Sequence, residues 1–267
     1  MQFFIRCRGK KNGEEESNKN SEIHNKMVPE SLTTKGILLN MKKNKDIILH
    51  SIMCCIGGFM SGYALLCRGN LGSAQTMNMI DIVFGIMGRN RDELLIRIFG
   101  LLLYFAGIEF VVLLSKKTKI NLKRYSILVD MAAFLILALI PDNANTVIGL
   151  LPMFFMLSTQ WSVFSGTRGY TSSSVFSTNN FRQVILAFNE YAFSKDKEQL
   201  KKAMFFLNTL FWFHVNIALS YFTVKYFSVY ASLFGFIYAI PAFVITYMKD
   251  EKNLNNQTSQ IDLRYAP

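Results

Sequence analysis

Charged side chains are nearly missing from five or six windows of this 267-residue chain, although it carries 29 Lys and Arg and 18 Asp and Glu. A soluble fold would scatter those charges, so their absence from runs of this length excludes a soluble class. A bilayer core is crossed by roughly 20 apolar residues at a rise of about 1.5 Å each. Cysteine is scarce as well. Cys54, Cys55 and Cys67 fall in or at the end of the first apolar run and Cys7 lies far ahead of it, positions that exclude a disulfide framework. A cleavable signal is not expected, because Phe3-Phe4-Ile5 is too short for its apolar region. No nucleophile–base pair, zinc signature or phosphate loop is legible, so the chain is not expected to be an enzyme or to need a cofactor or metal.

What is present is apolar sequence in blocks. The windows run from Asp46 to Cys67, Leu94 to Leu114, Tyr125 to Ile140, Asn145 to Phe164, Ala203 to Val224 and Tyr226 to Met248. Pro141-Asp142-Asn143-Ala144 joins the third and fourth as a tight hairpin, and Lys225 joins the last two. The expected fold is therefore all-α: a polytopic membrane protein of about six transmembrane helices. Residues 1–45 read as a disordered basic tail, 46–140 and 141–248 as two membrane halves, and 249–267 as a second tail. Met41-Lys42-Lys43 offers an internal start of translation.

The formal charge of +11 invites a nucleic-acid reading, but the basic residues flank the apolar windows. Lys42, Lys43 and Lys45 precede the first. Lys116, Lys117, Lys119, Lys123 and Arg124 lie between the second and third, and Lys195, Lys197, Lys201 and Lys202 before the fifth. The positive-inside rule then puts both termini in the cytoplasm. The partners expected are the lipid bilayer, a small solute and a second copy of the chain, with no nucleic acid.

Two polar runs, Gln75-Thr76-Met77-Asn78 and Ser177-Thr178-Asn179-Asn180, occupy matching places in the two halves. Three spans per half make the second half inverted, so the runs fall on opposite membrane faces, as interrupted segments do in many transporters. Amide and hydroxyl groups suit a broken helix, since they satisfy freed backbone and still offer ligands inward. An ordinary solvated loop with a helix cap is the competing reading. The apolar stretches Met79–Met87 and Val184–Phe193 favour segments that dip into or lie along the membrane.

Other polar groups stand inside the windows. Glu109 is the acid this reading places within a span, either as a site or reaching toward Lys116 or Lys117. Arg97 is expected to reach the interface. His214 is expected to be a neutral, hydrogen-bonded imidazole. Asn208, Thr209, Asn216, Ser220 and Thr223 form one stripe that either lines a pathway or bonds neighbouring helices. Gly58-x-x-x-Gly62 permits close helix approach, and His50 with Cys54 are too few to hold a metal. The candidate substrate-binding set is Gln75, Thr76, Asn78, Glu109, Thr178, Asn179, Asn180, Asn208 and Asn216. It points to a transporter or channel-like permease; the alternative is a noncatalytic scaffold or partner subunit.

Gly58-Phe59-Met60-Ser61-Gly62, Gln75-Thr76-Met77-Asn78-Met79 and Ser177-Thr178-Asn179-Asn180 resemble the YoaK-like family of bacterial multi-pass membrane proteins, over roughly residues 47–248. The resemblance implies a bacterial plasma-membrane location and a multi-pass fold, with no activity attached. Ser61 stands where that family has Asp and Met77 replaces a glycine, and Trp161 follows Gln160 where Asn is common. The loss of an acid at Ser61 weakens an inherited proton- or cation-coupled mechanism.

Overall fold

The computed structural model describes residues 34–72 and 75–248, with side chains from Asn44 onward. Most of residues 1–45 and all of 249–267, read as tails, lie outside the described residues. The backbone is nevertheless helical from Thr34, where Leu, Met and Lys favour that conformation. Asp46–Met248 forms one compact unit, to which the following description applies.

The chain is mostly helical. The elements are α1 (Thr34–Arg68), α2 (Gln75–Ile86), α3 (Arg91–Lys117), α4 (Leu122–Leu139), a 3-10 turn (Ile148–Leu150) leading into α5 (Leu151–Val163), then α6 (Thr178–Ser194) and α7 (Lys197–Phe227). A second 3-10 segment (Ser228–Gly235) runs into α8 (Phe236–Ile245). Between α5 and α6 sits a small hairpin that the sequence reading did not anticipate: β1 (Gly166–Thr167) pairs antiparallel with β2 (Tyr170–Thr171), Thr167 opposite Tyr170. Its turn places Arg168 and Gly169 both at positive φ (53° and 82°), as two-residue hairpin turns require.

Three stretches are long and apolar enough to cross a membrane: Asn44–Arg68, Arg91–Lys117 and Lys197–Ile245. The first is the central helix, with 78% of its most apolar window buried against 22% for that of α3. A helix apolar all round belongs inside a bundle. Accordingly Leu49, Met53, Ile56, Phe59, Met60 and Tyr63 are all buried on α1, while α3 turns Leu95, Phe99, Leu102, Phe105 and Phe110 outward. Outward apolar surface of this kind is what a helix facing lipid presents.

Contacts at both ends of α4 fix the orientation of its neighbours. At its start, Lys123 Nζ pairs with Asp46 at 2.8 Å, Arg124 Nε donates to Thr246 Oγ1 at 3.2 Å, and the Arg124 guanidinium lies 3.6 Å from the Tyr247 ring centroid. Beyond its other end, Arg68 donates to the carbonyls of Ile140, Pro141 and Asp142, and Ser228 donates to the Asp142 carboxylate at 2.7 Å. The stretch Lys197–Ile245 therefore breaks at Ser228, and residues 228–246 return antiparallel to α4. Lys123 marks a lysine-rich end of the bundle and Arg68 the opposite end.

The central seams use small residues. A Cβ at Gly58 would stand 2.9 Å from Phe213 Cα on α7, and one at Gly62 would stand 3.0 Å from Ser220 Cβ. Gly58-x-x-x-Gly62 is thus the face α1 turns to α7. On the other side Gly100 lies under the Phe154 ring, and Gly107 faces Phe155 and Ser158, so that α3 packs against α5.

Candidate functional site

An open vestibule of about 700 Å³ occupies the lysine-rich end. Its lining includes Ile47 of α1, Arg168 and Tyr170 of the hairpin, and Glu198, Lys201, Phe205 and Asn208 of α7. The volume suits a small-molecule site. Lys201 pairs with Glu198 at 2.6 Å on the rim. At the inner wall Phe205 lies 5.2 Å from the Tyr170 ring and stacks at 5.6 Å on His50, which is itself buried. Asn208 donates to Ser51 at 2.8 Å.

Behind Phe205 the chain between β2 and α6 runs without regular structure, yet Ser172, Ser173, Ser174 and Val175 are buried. Asn180 satisfies this segment. Its Oδ1 accepts from Ser172 Oγ (3.2 Å) and Ser173 N (3.4 Å), and its Nδ2 donates to the carbonyls of Ser173 (2.8 Å) and Phe176 (3.0 Å). His50 Nε2 lies 3.2 Å from Ser172 Oγ. Because that hydroxyl's single proton goes to Asn180, the imidazole donates from Nε2, and its buried Nδ1 is left without a partner. Gln160 of α5 donates to Met53 O at 2.8 Å and to Ser174 Oγ at 3.0 Å. The segment fits because Gly57 of α1 has no side chain: a Cβ there would collide with the Ser174 carbonyl.

At the opposite end a second cluster repeats part of this pattern. Asn70 Nδ2 donates to Asn78 Oδ1 at 3.4 Å, across the same eight-residue interval as Ser172 and Asn180. Gly72, after α1, lies against Met153 of α5, just as Ser174, after α5, lies against Gly57 of α1. Arg97 holds this cluster, binding Asp81 at 2.9 Å and Glu93 at 2.8 Å and reaching Asn78 Oδ1 at 3.5 Å.

The predicted site residues separate accordingly. Asn78 and Asn180 are buried, whereas Thr76, Thr178 and Asn179 are exposed and Gln75 is half-buried, donating to Gly72 O. The two asparagines belong to clusters at opposite ends. Along α1, Arg68 lies 18 residues beyond His50, a rise of about 27 Å. Asn208 lines the vestibule; Asn216 is buried on the face of α7 turned to α1, with its Oδ1 unpartnered. Thr209 and Ser220 share that seam, each bonding its own helix. Glu109 is exposed on α3 and joins neither cluster, and His214 is exposed with Nδ1 on Leu210 O at 2.8 Å. Among the described residues no group of three or more His, Cys, Asp or Glu is placed to hold a metal.

Buried polar residues that the sequence reading did not single out include Ser158-Thr159-Gln160 on α5, His50 as a network member, and Asp130 on α4. The signal for Asp130 was available, since it interrupts the window Tyr125 to Ile140 and is an acid inside a span as surely as Glu109. Ser158-Thr159-Gln160 is a polar triplet within an apolar run.

A family described as "Protein of unknown function (DUF1275)" matches residues 49–248. No curated protein and no solved structure matches the chain.

Proposed function

We propose that this chain, which belongs to the DUF1275 family, is a noncatalytic permease for a small solute in the bacterial inner membrane. The reading has six spans in two inverted three-helix halves, both termini lying in the cytoplasm. One observation carries it: an irregular, serine-rich segment is buried directly behind an open vestibule and held there by Asn180. Irregular backbone at membrane depth is tolerated where it is packed in protein or lines a water-filled path. The inverted arrangement is supported by the paired eight-residue contacts, Asn70 with Asn78 and Ser172 with Asn180, at opposite ends of the bundle. It is supported too by the way each half's first helix lies against the segment following the other's. The short helices α2 and α6 expose Ile80, Val83, Phe84 and Phe181, Ile185, Leu186, as interfacial helices do. The positive-inside rule puts the vestibule on the cytoplasmic side.

A solute-flux screen in proteoliposomes tests the reading. Flux above protein-free vesicles, reduced by both Asn78→Ala and Asn180→Ala, is the expected result. Flux unchanged in both variants removes the site. No flux for any solute, together with a stoichiometric copurifying protein, would favour a partner subunit.

A further inference from the structure

Asp130 is the one acid among the described residues that is buried in the bundle interior. It sits mid-way along the buried stripe of α4, between Ile127 and Phe134, and neither of its carboxylate oxygens has a hydrogen-bond partner. Ser126, one turn earlier on the same face, is also fully buried with its hydroxyl unpartnered. Thr159 Oγ1 and Gln160 Oε1 are buried and unpartnered as well. Gln160 itself is tied through Nε2 to Ser174 and the segment behind the vestibule.

Among the described residues no counter-ion serves this acid. Of the elements packed on α4, α5 carries no titratable side chain, the 3-10 segment carries only the exposed Tyr230, and α8 carries only Tyr238, packed on Phe59. On α3, Arg97 is held by Asp81 and Glu93, Tyr104 is buried and Glu109 is exposed. On α1, Arg68 is spent on the carbonyls beyond the end of α4, Asp46 is paired with Lys123 at the lysine-rich end, and His50 is bonded to Ser172. Cys54, Cys55, Tyr63 and Cys67 are the remaining titratable groups of α1 in the bundle. On α4 itself, Lys123 and Arg124 are engaged by Asp46 and Thr246, and Tyr125 lies one turn from the start. An ionised carboxylate without a counter-charge or a donor is not held in an apolar interior; the group neutralises instead.

We propose that Asp130 is a reversible proton-binding site. Its carboxylate forms one O–H bond on taking up a proton and breaks it by returning the proton to water. Coupling of that proton to solute movement rests on the permease reading; the binding itself does not.

Infrared difference spectroscopy of the full chain in lipid, stepped in pH in H2O and in D2O, tests the site without any solute. A carboxylic-acid carbonyl band that changes with pH, shifts in D2O, moves in Asp130→Glu and is lost in Asp130→Asn is the expected result. Asp130→Glu covers the case in which the asparagine variant does not fold. A titrating band with no flux for any solute would keep the site and remove the permease reading. Absence of a pH-sensitive band, or a band that persists unshifted in both variants, overturns the proposal.

Discussion

Asn180 accepts a hydrogen bond from Ser172, eight residues earlier, at 3.2 Å, and this contact ties the start of α6 to a buried segment that has no regular structure of its own. Asn78 and Asn70 stand in the same relation at the other end of the bundle, but more loosely, at 3.4 Å. The difference in bonding between the two asparagines makes them unequal in stability as well as in position.

Asn180→Ala removes four bonds and strands buried backbone groups of Ser173 and Phe176, each costing about 1–3 kcal/mol. Asn78→Ala removes two long contacts, at 3.4 and 3.5 Å, and is expected to cost about 1 kcal/mol. Thermal unfolding in detergent should therefore rank Asn180→Ala well below Asn78→Ala, and equal losses would contradict the geometry.

Gly58 and Gly69 are glycines for different reasons, so their substitutions should follow different rules. At Gly58 the Phe213 backbone leaves no room, and Gly58→Ala should cost about 1–3 kcal/mol, with Gly58→Val worse. Gly69 has open space but a φ of +63°, so Gly69→Asn should cost less than Gly69→Ala, because Asn tolerates that region. Melting temperatures of the four variants check both rankings.

Arg68 binds three successive carbonyls with the two ends of its guanidinium, and Gly149 leaves room for it. A lysine keeps the charge but not the fork. Arg68→Lys should speed amide exchange through residues 140–148 and destabilise the protein by about 2 kcal/mol. Unchanged exchange in that connection would show that the three bonds do not hold it.

The lysine-rich end carries Lys119 and the opposite end Asn143, both exposed. With the cytoplasmic assignment, a membrane-impermeant thiol reagent added to intact bacteria should label Asn143→Cys and spare Lys119→Cys. The reverse pattern would invert the topology.

Much of the frame was legible because hydrophobic periodicity and charge are local signals. The apolar windows, the tight turn at Pro141-Asp142-Asn143-Ala144 and the packing face at Gly58-x-x-x-Gly62 could all be read from neighbouring residues. What was not legible depends on which side of a helix faces inward. Glu109 and Asp130 are both single acids in apolar runs, yet one is exposed and the other buried, and only packing separates them. The vestibule likewise depends on residues far apart in sequence, Ile47, Tyr170 and Phe205, meeting at one end. The irregular segment 172–177 reads as a loop by composition and becomes interior because Gly57 lets it approach α1.

In the proposed permease this buried segment is part of a solute path opening at the vestibule. The most direct measurement is the rate at which a small water-soluble thiol reagent modifies Ser172→Cys in lipid, with Asn208→Cys as the vestibule reference and Phe205→Ala as the opened background. Rapid labelling at Asn208→Cys, slower labelling at Ser172→Cys, and acceleration of the latter by Phe205→Ala are the expected results. Ser172→Cys that stays unmodified in both backgrounds while Asn208→Cys reacts would contradict this path.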